Sequence, residues 1–62
     1  MRVSKKDLID LIIAEHYYWS EKLDAGYDDE AEEMDREYLS ELTPCTLGDE
    51  LDMARTGSQF NE

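Results

Sequence analysis

The chain has 62 residues and a net charge of −11, from 17 acidic against 6 basic side chains, with one cysteine and one histidine. A fold of that length is one domain with a thin core, because it buries only about 60% of the surface its unfolded chain exposes. The composition excludes an intrachain disulfide, since Cys45 is alone, and a zinc site built from four Cys or His ligands. It also excludes a membrane-spanning helix, since the longest apolar stretch, Leu8 to Ala14, is broken by Asp10 and falls short of the roughly 18 residues a span requires.

The N-terminal residues, Met1-Arg2-Val3-Ser4-Lys5-Lys6, are basic but lead into an amphipathic segment, not the apolar core of a signal peptide. Together with the unpaired Cys45 this makes a cytoplasmic location the expectation, the host cytoplasm if a phage encodes the chain. Ser4 is a good N-cap, Asp7 stands at the acidic position of a capping box, and Val3 and Leu8 occupy the positions of a hydrophobic staple. These signals predict a helix over about residues 5–25, with Gly26 as its left-handed terminator. Ile9, Ile12, His16, Trp19 and Leu23 recur at spacings of 3 and 4 and form one stripe, widened by Leu8. Leu11 and Tyr18 fall on nearly the opposite side, with Tyr17 on the flank. Such a patch calls for a second contact, with a third segment of the chain or with another molecule.

A second helix is predicted over about residues 29–42, capped by Asp28 or Asp29 and stopped by Pro44. Carboxylates crowd its first turn, where the helix dipole favours them. Its apolar stripe reads Tyr27, Ala31, Met34, Tyr38 and Leu42, and the short connection to the first helix implies an antiparallel hairpin. Asp28, Asp29, Glu30, Glu32, Glu33, Asp35, Glu37 and Glu41 stand off that stripe against Arg36 alone, with Leu39 among them.

A third, short helix is predicted over about residues 46–55, with two candidate starts: Pro44 as first helical residue after Thr43, or Thr46 with Asp49 as a capping box. Leu47, Leu51 and Ala54 form its apolar edge, Met53 lies nearby, and Gly57 ends it. Residues 58–62 read as a flexible tail unless Phe60 docks back. The expected architecture is therefore all-α: one domain over residues 1–57, a helical hairpin plus a short third helix, with oligomerisation as one route to extra stability.

Charge is distributed unevenly along this plan. Residues 1–22 carry four bases and four acids, whereas residues 23–62 carry 13 acids against Arg36 and Arg55 and so hold the whole net charge of −11. A field of that sign repels nucleic acid and anionic lipid and attracts basic surfaces. Mixed charges suffice for solubility. Here the like-charged pairs Asp29/Glu33, Glu33/Glu37 and Glu37/Glu41, four residues apart, each oppose helix formation by a few tenths of a kcal/mol.

Catalysis is not expected. Paired carboxylates do acid–base work only where a cleft drives their pKa values apart, and three short helices leave little interior for one. His16, between Ile12 and Trp19 on the apolar stripe, reads as a packed or interface histidine, and Cys45 as an ordinary buried or half-buried thiol with no cationic sequence neighbour to activate it. A calcium loop opening at Asp24 would place Gly26 at a ligand position and Asp29 where glycine is needed, so no metal site is expected and no cofactor is implied.

The expected function is binding. Asp29, Glu30, Glu32, Glu33, Asp35, Glu37 and Glu41 are the candidate electrostatic contacts to a basic protein partner, with Leu39 and Tyr27 as apolar anchors. In charge, length and helicity the chain resembles the small acidic helical proteins with which phages and other mobile elements block host nucleic-acid enzymes, a resemblance of composition and not of motif. It implies inhibition of a nucleic-acid-handling enzyme by mimicry of DNA, without direct contact with nucleic acid or membrane. Two other readings stand beside it: a structural or assembly module that oligomerises through the first helix with Leu11 and Tyr18 at the interface, and an antitoxin or immunity protein.

Overall fold

Local capping decides where each helix begins. The Ser4 hydroxyl accepts the Asp7 N–H at 3.1 Å and the Asp28 carboxylate accepts the Ala31 N–H at 3.0 Å, each relieving an orphan donor of a first turn. At the third start the Thr43-Pro44 signal is the one realised: Thr43 Oγ1 accepts the Thr46 N–H at 3.2 Å and Pro44 opens the helix with its fixed φ, while Thr46 lies inside the first turn and does not cap it with Asp49. A computed structural model describes residues 3–56. It contains α1 (Lys5–Leu23), α2 (Asp29–Ser40) and α3 (Pro44–Thr56), with no strand among the described residues, so the all-α three-helix architecture is observed. The readings placed on Gly57, Phe60 and residues 58–62 lie outside the described residues.

Helix ends differ from expectation by a few residues. Asp24, not Gly26, supplies the left-handed residue that ends α1, with φ 54 and ψ 46, and its N–H bonds back to the Ser20 carbonyl. Asp is among the few non-glycine residues that tolerate this region. Gly26 also has positive φ, but in the connection beyond the helix. At the far end of α2 the Lys5 ammonium donates to the Ser40 carbonyl, so the first residue of α1 satisfies an orphan acceptor where a cation also suits the dipole.

Helix α1 is the central element. It packs against both of its neighbours, more extensively against α3 than against α2. Ile9, Ile12 and Ile13 from α1 meet Leu47, Leu51 and Ala54 from α3, and α2 contributes a single fully buried side chain, Leu39. Leu8, Tyr17, Tyr27 and Leu42 close over this cluster. The α1 stripe is shifted from the expected one. Ile13 and Ser20 are buried, His16 and Trp19 are half-buried, and Leu23, the last residue of the helix, is exposed. A helix flanked on two sides needs a broader inward face than a single stripe provides.

The larger difference concerns α2. Met34 and Tyr38, expected on its inward stripe, are 68% and 54% exposed, whereas Leu39, expected on the outer acidic face, is 1% exposed. The helix is turned by roughly a quarter of a revolution from the orientation that apolar periodicity implies. The cause lies in what α1 offers it. Asp10, His16 and Tyr17 present polar groups toward α2, and the orientation that buries Leu39 also brings Glu32, Asp35 and Arg36 into hydrogen-bond range of them. Leu11 and Tyr18 remain exposed, so α3 does not fold over them. Cys45, expected to be at least half-buried, is exposed at the start of α3.

Candidate binding surface on helix α2

The seven acidic residues singled out in the sequence divide into two sets. Glu32 and Asp35 are engaged with α1, and Asp29 lies beside them at the same Tyr17 hydroxyl. The Tyr17 hydroxyl lies 2.7 Å from Glu32 Oε1 and 3.1 Å from Asp29 Oδ1, and its one proton goes to the shorter contact. Asp35 Oδ2 accepts from the Tyr27 hydroxyl at 2.9 Å and lies 3.0 Å from His16 Nδ1, which donates to it in the tautomer that carries the proton on Nδ1. Arg36 closes the arrangement, with Nε donating to Glu32 at 2.7 Å and Nη1 to Asp10 at 2.9 Å. Asp10 also accepts from Lys6 at 3.0 Å.

This polar seam perturbs its members in consistent directions. The Tyr17 hydroxyl is pushed well above its usual value, first by its hydrogen bond to Glu32. Tyr27 is pushed up as well, first by burial and then by its bond to Asp35. Glu32 is held below the ordinary carboxylate range by Tyr17 and then Arg36, and Asp10 by Lys6 and then Arg36. Tyr27 also packs edge-on against His16 and Tyr17, with ring centroids 5.4 and 4.9 Å apart. Tyr27 is thus half-buried in the seam and not a free surface anchor, and Leu39 is no surface anchor at all, since it lies in the core.

The second set stays on the surface. Glu30, Glu33, Glu37 and Glu41 are exposed, and among the described residues their carboxylates take no hydrogen bond and no ion pair. Their spacings of 3, 4 and 4 confine them to an arc of about 80° on the helix, with neighbours on the ridge roughly 5–6 Å apart along the axis. Met34 and Tyr38, four residues apart, run along one flank of that ridge as exposed apolar surface.

On the far side of Tyr38 the surface sinks into an open groove of about 400 Å³. Among the described residues it is lined by Ala31, Leu39, Tyr27, Tyr38, His16, Asp35 and, from α3, Glu50. No Lys or Arg lines it among the described residues. Sequence reasoning missed Glu50, which becomes part of this surface only through the docking of α3.

It also missed Ser20, a buried residue that organises the approach to α2. Its hydroxyl accepts the Tyr27 N–H at 2.8 Å, and its carbonyl accepts the N–H groups of Asp24 and Ala25. A serine four residues after His16, just ahead of a glycine-containing turn, was the available signal. Among the described residues no group of three or more His, Cys, Asp or Glu side chains is arranged to hold a metal ion, and no helix is long and apolar enough to cross a membrane. No protein-family model matches the chain, and no curated protein or solved structure matches it.

Proposed function

We propose that this protein is a non-catalytic acidic binding protein that inhibits or modulates a basic partner, a nucleic-acid-handling enzyme being the partner class that fits best. The observation that carries the reading is the ridge of four glutamates on α2, Glu30, Glu33, Glu37 and Glu41, exposed and without countercharge among the described residues. Unneutralised like charges along one helix oppose its formation, and Arg36, the one base on that helix, does not relieve them because it is committed to Glu32 and Asp10. A partner lined with Lys and Arg would supply the missing countercharge.

The spacing supports the finer form of the proposal. Carboxylates four residues apart stand about 6 Å apart along the helix, comparable with the contour distance between successive phosphates of one nucleic-acid strand. A Lys/Arg-lined groove that receives phosphates could therefore receive this ridge. Met34 and Tyr38 would add the desolvated contact that charges alone do not supply, since a few buried side chains carry most of the energy of an interface while charges set on-rate and specificity.

The test is affinity capture from a bacterial lysate at low and high salt, with wild type beside the double variant Glu33→Lys/Glu37→Lys. Basic nucleic-acid-binding proteins retained at low salt, released at high salt and lost with the double variant are the expected result. Retention that is indifferent to salt and to charge reversal would remove the electrostatic reading. One observation keeps the assembly reading in play: Leu11 and Tyr18 are exposed together on the outer side of α1. Sedimentation at micromolar concentration decides between them, because assembly requires a mass that rises with concentration.

A further inference from the structure

The groove beside Tyr38 is more specific than the ridge. We propose that it receives an arginine side chain of the basic partner, an assignment that rests on the acidic-binder reading and sharpens it. Three features of the lining match that chemistry.

The first is the carboxylates. Asp35 is held through Oδ2 by Tyr27 and His16, which leaves Oδ1 without a hydrogen bond among the described residues. Glu50, contributed by α3, likewise takes no hydrogen bond or ion pair among them. A carboxylate already oriented by its neighbours loses little freedom when a guest arrives. None of the described residues of the lining is a Lys or Arg, so none of them supplies the cation.

The second is the aromatic wall. Tyr38 is 54% exposed and makes no ring contact among the described residues, so a face of its ring is open to a guest. A planar guanidinium stacks on such a face while donating two parallel hydrogen bonds to a carboxylate, which a lysine ammonium does not do. The third is the apolar part of the lining, Ala31 and Leu39, which suits the methylene stem of a long cationic side chain. The size agrees: about 400 Å³ is at the small end of ligand sites, enough for one such side chain and its flanking backbone.

The probe is a capped peptide, acetyl-Gly-Ser-Arg-Ser-Gly-amide, compared with its lysine analogue and its citrulline analogue, the last nearly isosteric but uncharged. Each is titrated into the ¹⁵N-labelled full chain and followed by amide NMR shifts. The arginine peptide is expected to move the amides of Ala31, Asp35, Leu39 and Glu50 saturably, to bind about 3-fold tighter than the lysine peptide, and to outrun the citrulline peptide by at least about 10-fold. Glu50→Gln and Tyr38→Ala, both at exposed or half-buried positions, should each weaken binding by about 3-fold or more while leaving the circular dichroism unchanged.

Equal binding of the citrulline peptide, shifts confined to Glu30, Glu33, Glu37 and Glu41, or wild-type affinity in both variants would each overturn the assignment. The two proposals fail separately. If Glu33→Lys/Glu37→Lys abolishes partner capture while the arginine peptide ignores the groove, the acidic-binder reading stands and the groove assignment falls. If the peptide enters the groove but no basic protein is captured, the arginine site stands without its proposed context.

Discussion

Arg36 and Asp10 join α2 to α1 through a 2.9 Å bond between guanidinium Nη1 and carboxylate Oδ1, while the same guanidinium holds Glu32 on its own helix. One cation thus neutralises two acids at a helix–helix contact, and the outer ridge is left without it. Replacing Arg36 by leucine would leave Asp10 and Glu32 facing each other across that contact. The expected outcome is a thermal midpoint lowered by several degrees at low ionic strength, with most of the difference removed in 1 M salt, where the Debye length is only about 3 Å. A midpoint unchanged at low salt would show that the seam contributes nothing to docking.

The outer ridge makes the opposite prediction for the unaltered protein. Repulsion summed over a net charge of −11 outweighs a handful of solvent-exposed ion pairs, each worth roughly 0–1 kcal/mol. Stability should therefore rise as sodium chloride is increased from low concentration to the physiological range, and Glu33→Lys/Glu37→Lys should flatten that rise. Thermal unfolding followed by circular dichroism reads both.

Leu39 and Met34 exchange the roles that helical periodicity assigns them, and mutation should reveal it. A buried leucine cut to alanine costs about 2–5 kcal/mol, and a core of this size supplies roughly 3–5 kcal/mol in total. Leu39→Ala should therefore unfold much of the population at 25 °C, whereas Met34→Ala should shift stability by no more than about 0.5 kcal/mol. Urea titrations of the two variants side by side suffice, and equal midpoints would contradict the orientation of α2.

Ser20 accepts the Tyr27 N–H inside the α1–α2 connection. Ser20→Ala leaves that donor unsatisfied, at a cost of about 1–3 kcal/mol, a large fraction of the total. The effect should appear as a lower urea midpoint and as faster hydrogen exchange at the Tyr27 amide in particular.

Alkaline pH should weaken the fold through Tyr17 and Tyr27. Both hydroxyls are raised in the folded state above the ordinary value of 10.0, so the folded protein holds protons that the unfolded chain releases. Their contribution is complete below pH about 10 and declines as pH rises beyond it toward the folded-state values. Stability measured from pH 9 to 12 should fall, with tyrosinate absorbance rising as unfolding exposes these two rings. The double variant Tyr17→Phe/Tyr27→Phe should show a shallower fall; an equally steep one would place the alkaline weakness elsewhere.

The apolar and capping patterns carried the fold. Ser4, Asp28 and Thr43-Pro44 mark three helix starts through side-chain chemistry within a few residues of chain, and Ile9, Ile12, Leu47, Leu51 and Ala54 lie on stripes whose burial requires only that helices meet. The chain also concentrates its negative charge beyond residue 22 whatever the fold does. Which acids remain free was not legible, because freedom depends on partners distant in sequence: Glu32 and Asp35 are taken by Tyr17, Tyr27, His16 and Arg36, while Glu33 and Glu37, with the same composition around them, are not.

Tertiary structure decided the rotation of α2. Periodicity counts only hydrophobic groups, and by that count Met34 and Tyr38 belong inside. The face of α1 that receives α2 carries Asp10, His16 and Tyr17, whose polar atoms meet Arg36, Asp35 and Glu32 in the observed orientation. Making those contacts while burying one leucine turned the helix, sent Met34 and Tyr38 to the surface beside the glutamates, and opened the groove that Glu50 of α3 completes.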